Sequence, residues 1–261
     1  MSGGRGTDSM TIKTERDGGV ATLTLAHPPL NILTQEMSRE FRRALTALAA
    51  DDSLRALVIA AEGKHFSVGA DVGEHLPPTY REMIPEFVET LDALATFPLP
   101  VLAAVRGRCL GGGFELAQCA DVIVAGEGAI FGQPEIALGV TAPIACVLLP
   151  RRSSPGAAAE LLFSGDTLSA VRAQAAGLVQ HVVHDDQVEA AAQALAARFA
   201  RHSGAALRLT KKTLLAAADR PRREALQAAA GIYLNDLMTT EDALEGLNAF
   251  VEKRTPTWRN R

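Results

Sequence analysis

The apolar positions of this chain change their period as it runs. Over Val20–Leu25 they alternate with polar ones, which predicts a half-buried strand, stopped by His27-Pro28-Pro29. Thr34 then precedes Met37, Phe41, Ala44, Leu45 and Leu48, a helical stripe with its own N-cap, closed by Asp51-Asp52-Ser53. Leu57–Ala61 is apolar without a break and predicts a strand buried on both faces, ended by Glu62-Gly63. Met83, Phe87, Leu91 and Leu94 mark a helix from about Tyr80 to Phe97, and Pro98 and Pro100 end it before a strand at Val101–Val105. Gly111-Gly112-Gly113 opens a further helix to about Cys119, and a strand at Val122–Ala125 follows.

Three strands share one design. Those ending near Gly63, Gly107 and Gly128 are each short, apolar and run into a glycine turn, at irregular intervals that rule out a repeat of fixed period. Such strands stacked side by side bring their following loops together. Beyond about Leu138 the character changes to Ala- and Leu-rich helical stretches at 156–163, 168–176, 188–201, 205–217, 222–238 and 241–254. In the last, Ala243, Leu244, Leu247, Phe250 and Val251 form one stripe behind Thr239 or Thr240 as cap. The expectation is an α/β core over residues 11–199, a helical region over 200–261 and a disordered lead over 1–10.

Composition narrows the function classes. A formal net charge of −4 gives no electrostatic reason to expect nucleic acid or an anionic membrane as partner. No apolar run approaches the roughly 20 residues that span a bilayer, and the first ten residues lack the apolar run of a secretory signal. A soluble, cytoplasmic protein is expected. Cys109, Cys119 and Cys146 are odd in number and without C-x-x-C spacing, as free thiols in a reducing compartment would be. No phosphate-cradling glycine loop and no G-x-S-x-G turn occurs. His181 and His184 with Asp185-Asp186 lack a further ligand cluster, so no metal site is expected. Lys211-Lys212 and Arg220–Arg223 read as a basic, solvated helix surface.

The chemistry concentrates elsewhere. A glycine run opening a helix leaves bare N–H groups at a positive dipole end, suited to a developing negative charge. Glu115 lies one turn into that helix, and Glu135 follows the Gly132 turn. An oxyanion site flanked by two carboxylates is equipment for moving a proton beside a carbonyl, or for orienting a water there. The plainer alternative is a tight turn with Glu115 as a solvated helix residue.

Taken jointly, Asn31 after Pro28-Pro29, the loop Phe66–Asp71, the helix start Gly111–Glu115 and the stretch Phe131–Ile136 before Leu138-Gly139 resemble the enoyl-CoA hydratase/isomerase (crotonase) superfamily. Phe250–Arg254 with Pro256 and Trp258 looks like that family's tail, so the resemblance runs from about residue 12 to the end. It implies a crotonase-like superhelix of ββα turns with a helical C-terminal trimerisation region, and a homotrimer or homohexamer. It also implies an oxyanion hole of the Ala70 and Gly112 amides, and Glu115 and Glu135 as the catalytic pair. Lys64, Phe66, Asp71, Gly111 and Pro134 fall at substrate- or CoA-binding positions, with Phe250 and Lys253 contributed by a neighbouring subunit. Coenzyme A is part of the substrate, and no other cofactor is implied.

Both glutamates point to hydration; a double-bond isomerase would use Glu135 alone, and a scaffold or RNA-associated member would need neither. The family's common glycine-rich loop after the second glutamate is absent, replaced by Gly139–Pro150, which puts a straight-chain acyl substrate in doubt. Within it, Ala142-Pro143 and Leu148-Leu149-Pro150, with Leu234–Met238 and the Trp258–Arg261 end, are similar to the cyclohexa-1,5-dienecarbonyl-CoA hydratases of anaerobic benzoyl-CoA breakdown.

Overall fold

A computed structural model describes residues 10–261; most of the expected lead, residues 1–9, lies outside the described residues. The elements run β1 (Ile12–Asp17), β2 (Val20–Leu25), α1 (Gln35–Ala49), β3 (Ala56–Ala61), α2 (Tyr80–Ala95), β4 (Val101–Val105), β5 (Arg108–Leu110), α3 (Gly112–Gln118), β6 (Val122–Gly126) and β7 (Ile130–Gly132). They continue with α4 (Pro143–Arg152), α5 (Pro155–Ser164), β8 (Thr167–Ser169), α6 (Ala170–Ala175), β9 (His181–Val183), α7 (Val188–Phe199), α8 (Gly204–Ala217), α9 (Arg222–Asn235) and α10 (Glu241–Glu252).

The main sheet has the order β1-β2-β3-β4-β6-β9, antiparallel only between β1 and β2. Its central strands are buried on both faces. Val58, Ala60, Leu102, Ala104 and Val124 meet α7, while Leu57, Ile59, Val101, Ala103 and Ile123 face the larger core with α1 and α2. That double burial is why Leu57–Ala61 reads as an unbroken apolar run. A second sheet of three short strands, β5-β7-β8, lies beyond the glycine turns.

The expected strand-turn stack is present. β3, β4 and β6 are parallel neighbours, so the loops after their ends lie side by side. Thr34 caps α1 by accepting from Met37 N at 3.2 Å. The three cysteines are free. From Gly204 onward every element is helical.

Several expectations need correction. The stretch 168–176 begins as β8 and becomes α6 only at Ala170. The chain between Leu138 and the helix near 156 contains α4, which the pattern had not predicted. Lys211 is not a surface residue: it is only 4% exposed, and its Nζ lies 2.5 Å from Asp121 Oδ1, pinning α8 to the residue before β6.

Candidate active site

The loop after β3 and the segments after β5 and β7, the short strands that follow β4 and β6, line a cavity of about 240 Å³. Each loop is fastened before it reaches the cavity. Asn31 is fully buried, and its Nδ2 donates to the carbonyls of Glu62 (2.9 Å) and His65 (2.8 Å), tying the turn after β2 to the chain leading into Phe66–Asp71. Leu33 N donates to Gly69 O and Asp71 N to Leu33 O, so Ala70 is braced on both sides.

The glycines of the second loop answer separate demands. Gly111 has φ +52°, and a Cβ there would stand 2.6 Å from Glu135 Oε1. A Cβ on Gly112 would stand 3.2 Å from Ala70 N and 3.0 Å from the Phe87 ring. The backbones at 70 and 112 therefore face each other across a gap that only glycine leaves open. Among the described residues, neither the Ala70 nor the Gly112 N–H has a backbone acceptor.

Glu115 is not the solvated helix residue of the plainer alternative. It is 2% exposed, and its Oε1 accepts from Ile144 N (2.9 Å) and Ala145 N (2.8 Å) at the start of α4. The residue before that helix is Ala142, which offers no side-chain cap, so Glu115 supplies one from α3. Burial pushes the Glu115 carboxyl up to about 7; the Ala145 amide opposes the shift, and the nearby Glu135 carboxyl adds to it.

Glu135 sits in a short 3-10 helix, Pro134–Leu138, behind Pro134. With its carboxamide nitrogen turned toward the carboxylate, the buried Gln133 donates to Glu135 Oε2 (3.1 Å) and Oε1 (3.3 Å). Burial raises the Glu135 carboxyl too, against its own backbone hydrogen bond and the charge of His75.

The cavity thus collects Ala70, Gly111, Gly112, Glu115, Pro134 and Glu135 from the sequence reading. Lys64, Phe66, Asp71, Phe250 and Lys253 do not line it. Phe66 is 1% exposed within the hydrophobic core, so its ring offers no face to a substrate; its place there is packing. Asp71 Oδ1 accepts from Glu74 N within its own turn. Lys64 is exposed, as are Phe250 on α10 and Lys253 just past it.

The family model for enoyl-CoA hydratase/isomerase matches residues 15–261. The chain belongs to that family. It is 38% identical to the cyclohexa-1,5-dienecarbonyl-CoA hydratase of Thauera aromatica over 247 residues, covering 95% of each chain. It is 35% identical to a probable mitochondrial enoyl-CoA hydratase of Dictyostelium discoideum, covering 96% of this chain and 91% of that one. Among solved structures, DspI of Pseudomonas aeruginosa superposes with a TM-score of 0.92 at 33% identity, covering 97% and 98% of the two chains. An enoyl-CoA hydratase of Bacillus anthracis gives a TM-score of 0.92 at 30% identity, covering 96% and 100%.

The fold is accordingly the crotonase fold with a helical C-terminal region, and the chain is an enzyme of the enoyl-CoA hydratase type. No helix among the described residues is long and apolar enough to cross a membrane.

Sequence reasoning missed part of the cavity wall. Val72, Leu76, Ile84 and Phe87 close it on the side of α2, and Leu138, Val140 and Ala142 on the side of α4. Gln133 lay inside the quoted glycine-glutamine-proline-glutamate stretch without a role. His75, also in the wall, was a lone histidine in a loop, which no motif distinguishes. The segment Val140–Ala142 forms the partition to a smaller cavity of about 90 Å³, lined further by Ile136, Cys146, Leu162 and Phe163.

Proposed function

We propose that this enzyme adds water across a conjugated double bond of an enoyl- or dienoyl-CoA thioester, by way of an enolate. The observation that carries the proposal is the joint placement of two amides without an acceptor among the described residues, Ala70 and Gly112, and two carboxyls, the buried Glu115 and the half-buried Glu135, around one cavity. The thioester oxygen sits between the two N–H groups, which hold it more tightly as it gains charge. The water oxygen bonds to the β carbon, the double-bond pair moves onto the thioester oxygen, and the α carbon then takes a proton. Glu115 and Glu135 orient the water and carry its proton across. Coenzyme A belongs to the substrate, and the reaction so written needs no cofactor.

Within that class, we favour a ring-bearing dienoyl thioester such as cyclohexa-1,5-dienecarbonyl-CoA. The 38% identity to the Thauera aromatica enzyme supports it. So does the non-glycine wall of Val140, Thr141 and Ala142, backed by α4, where the common family loop is glycine-rich. The nucleotide end of CoA leaves the cavity toward Lys64, met by Phe250 and Lys253 of a neighbouring copy in a homotrimer or a homohexamer.

The test follows the loss of enoyl-thioester absorbance for crotonyl-CoA beside cyclohexa-1,5-dienecarbonyl-CoA, with Glu135→Gln as control. Glu135-dependent turnover of the ring substrate alone is expected. Preference for crotonyl-CoA overturns the ring reading, and no turnover of either by folded, CoA-binding protein overturns both substrate readings.

A further inference from the structure

One titratable side chain of the cavity has no part in the reaction as written above. His75 closes the single-turn 3-10 helix Gly73–His75, five residues beyond Ala70 (75 − 70), and lines the cavity together with Glu115 and Glu135. Its Nδ1 lies 2.8 Å from the Asp71 carbonyl oxygen. A carbonyl oxygen can only accept, so Nδ1 carries a hydrogen and Nε2 is left as the ring's other nitrogen.

The turn that presents this ring is fixed at several points. His75 N donates to Val72 O at 3.2 Å, and Glu74 N to Asp71 Oδ1 at 3.1 Å. Glu74 Oε2 in turn accepts from Gln35 N at 2.9 Å, at the first residue of α1. The ring is therefore anchored to the same scaffold that braces Ala70.

Apart from Thr141 and two acids, the side chains around it are apolar. The loop contributes Val72 and Leu76, α2 contributes Ile84 and Phe87, and the chain beyond Glu135 contributes Leu138, Val140 and Ala142. The other titratable groups of the lining are Glu115 on α3 and Glu135 on its 3-10 turn. Asp71 and Glu74, on the histidine's own turn, spend their carboxylates on backbone amides. Among the described residues, no lysine or arginine lines the cavity. Among the described residues, His75 is thus the one in the lining able to carry positive charge.

Two carboxyls in one poorly solvated cavity resist ionising together, and acid–base work needs them unequal. We propose that His75 is a positioning residue that acts through Glu135: the ring, able to carry positive charge in the same cavity, favours Glu135 as the carboxylate, so that the proton shared by the pair rests on Glu115. The proposal rests on the hydration reading of the same site. Burial raises both carboxyls; at Glu135 its own backbone hydrogen bond opposes the rise first and the histidine charge second, and no such charge opposes it at Glu115.

The test uses the full chain with His75→Gln, His75→Phe and His75→Lys, each checked for native circular dichroism. Infrared spectra across pH, differenced against Glu135→Gln, read the protonation of Glu135 without turnover. In His75→Gln its midpoint should rise by about one pH unit, a tenfold shift in the proton equilibrium, and His75→Lys should bring it back down. His75→Phe matches the apolar wall and makes the same test if the glutamine variant does not fold. The acid limb of kcat/KM should move upward with the infrared midpoint. An unmoved midpoint overturns the proposal, as does a loss of activity uniform across pH, which marks the ring as lining only. Because the infrared readout needs no substrate, absence of turnover in the unmodified enzyme would defeat the hydration reading and leave the His75 result standing on its own.

Discussion

Phe41, Phe66, Phe114 and Phe131 are all buried, whereas Leu214, Leu226, Leu234, Leu244, Leu247, Phe250 and Val251 of α8–α10 stand in solvent. Both regions carry strong apolar stripes, yet they are held by different means. Around the cavity, packing fixes the backbone closely enough to keep Glu115 out of water and Glu135 half-buried. The C-terminal helices are held instead by polar latches. Lys211 reaches Asp121, Arg208 donates to the carbonyls of Ala49 and Asp51, and Trp258 Nε1 donates to Arg201 O at 2.9 Å. The tail folds back as Asp242 accepts from Arg259 N and Asn260 N, while Glu245 pairs with both outer nitrogens of Arg254. Helical periodicity reports that a face is apolar; it does not report whether this chain or another copy covers it.

The comparison can be broken from either side. The largest effect is expected at the cavity: Glu135→Gln should lower kcat/KM by about 10²–10⁴-fold with little change in Tm. Phe66→Ala tests the packed region itself and should cost about 3–5 kcal/mol of stability, read by urea unfolding. Had Phe66 served the substrate rather than the core, KM would change and stability would not.

A third prediction follows from the buried charge. The Glu115 carboxyl stands at about 7 in the fold against 4.5 for the ordinary group, so the folded chain binds that proton more tightly than the unfolded one. This contribution to stability is whole below the unfolded value and is lost as pH rises through about 7, to the extent of about 3 kcal/mol. Glu115→Gln cannot ionise and can still accept from Ile144 and Ala145. It should lose activity yet show a fall in unfolding free energy between acid and mildly alkaline pH that is smaller by about that amount. An identical fall in both proteins would mean Glu115 is not the group that titrates.

On the latched side the effects are smaller. Lys211→Met leaves Asp121 with its bond from Val101 N and partial exposure to water, so the expected loss is about 1–2 kcal/mol. Leu234→Asp lies on an exposed surface and should alter the stability of the isolated chain by less than about 0.5 kcal/mol. If α9 is covered by another copy, the same substitution lowers the mass seen by light scattering to that of one chain. An unchanged mass would remove α9 from the proposed assembly.

Much of the cavity was legible because its requirements are local. A glycine run that must let backbones approach, a glutamate one turn later and a second glutamate beyond a glycine turn all leave marks within a few residues. The unbroken run Leu57–Ala61 and the alternation at Val20–Leu25 likewise reflect burial on two faces and on one. What stayed hidden depends on distant partners. α4 has a proline within it and no cap of its own, because its cap comes from Glu115 on another helix. β5, β7 and β8 have three residues each, too short for a period to show. Lys211 beside Lys212 looked like surface because Asp121, its partner, lies 90 positions earlier.

The bonds from Ile144 and Ala145 to Glu115 make those two backbone amides witnesses to the charge of a carboxyl they do not belong to. In a heteronuclear spectrum their proton resonances should move downfield as Glu115 ionises, and both should trace the same titration. Occupancy of the cavity by a thioester would displace that titration. Two assigned peaks would then report ligand binding and protonation together, in solution and without a chromophore.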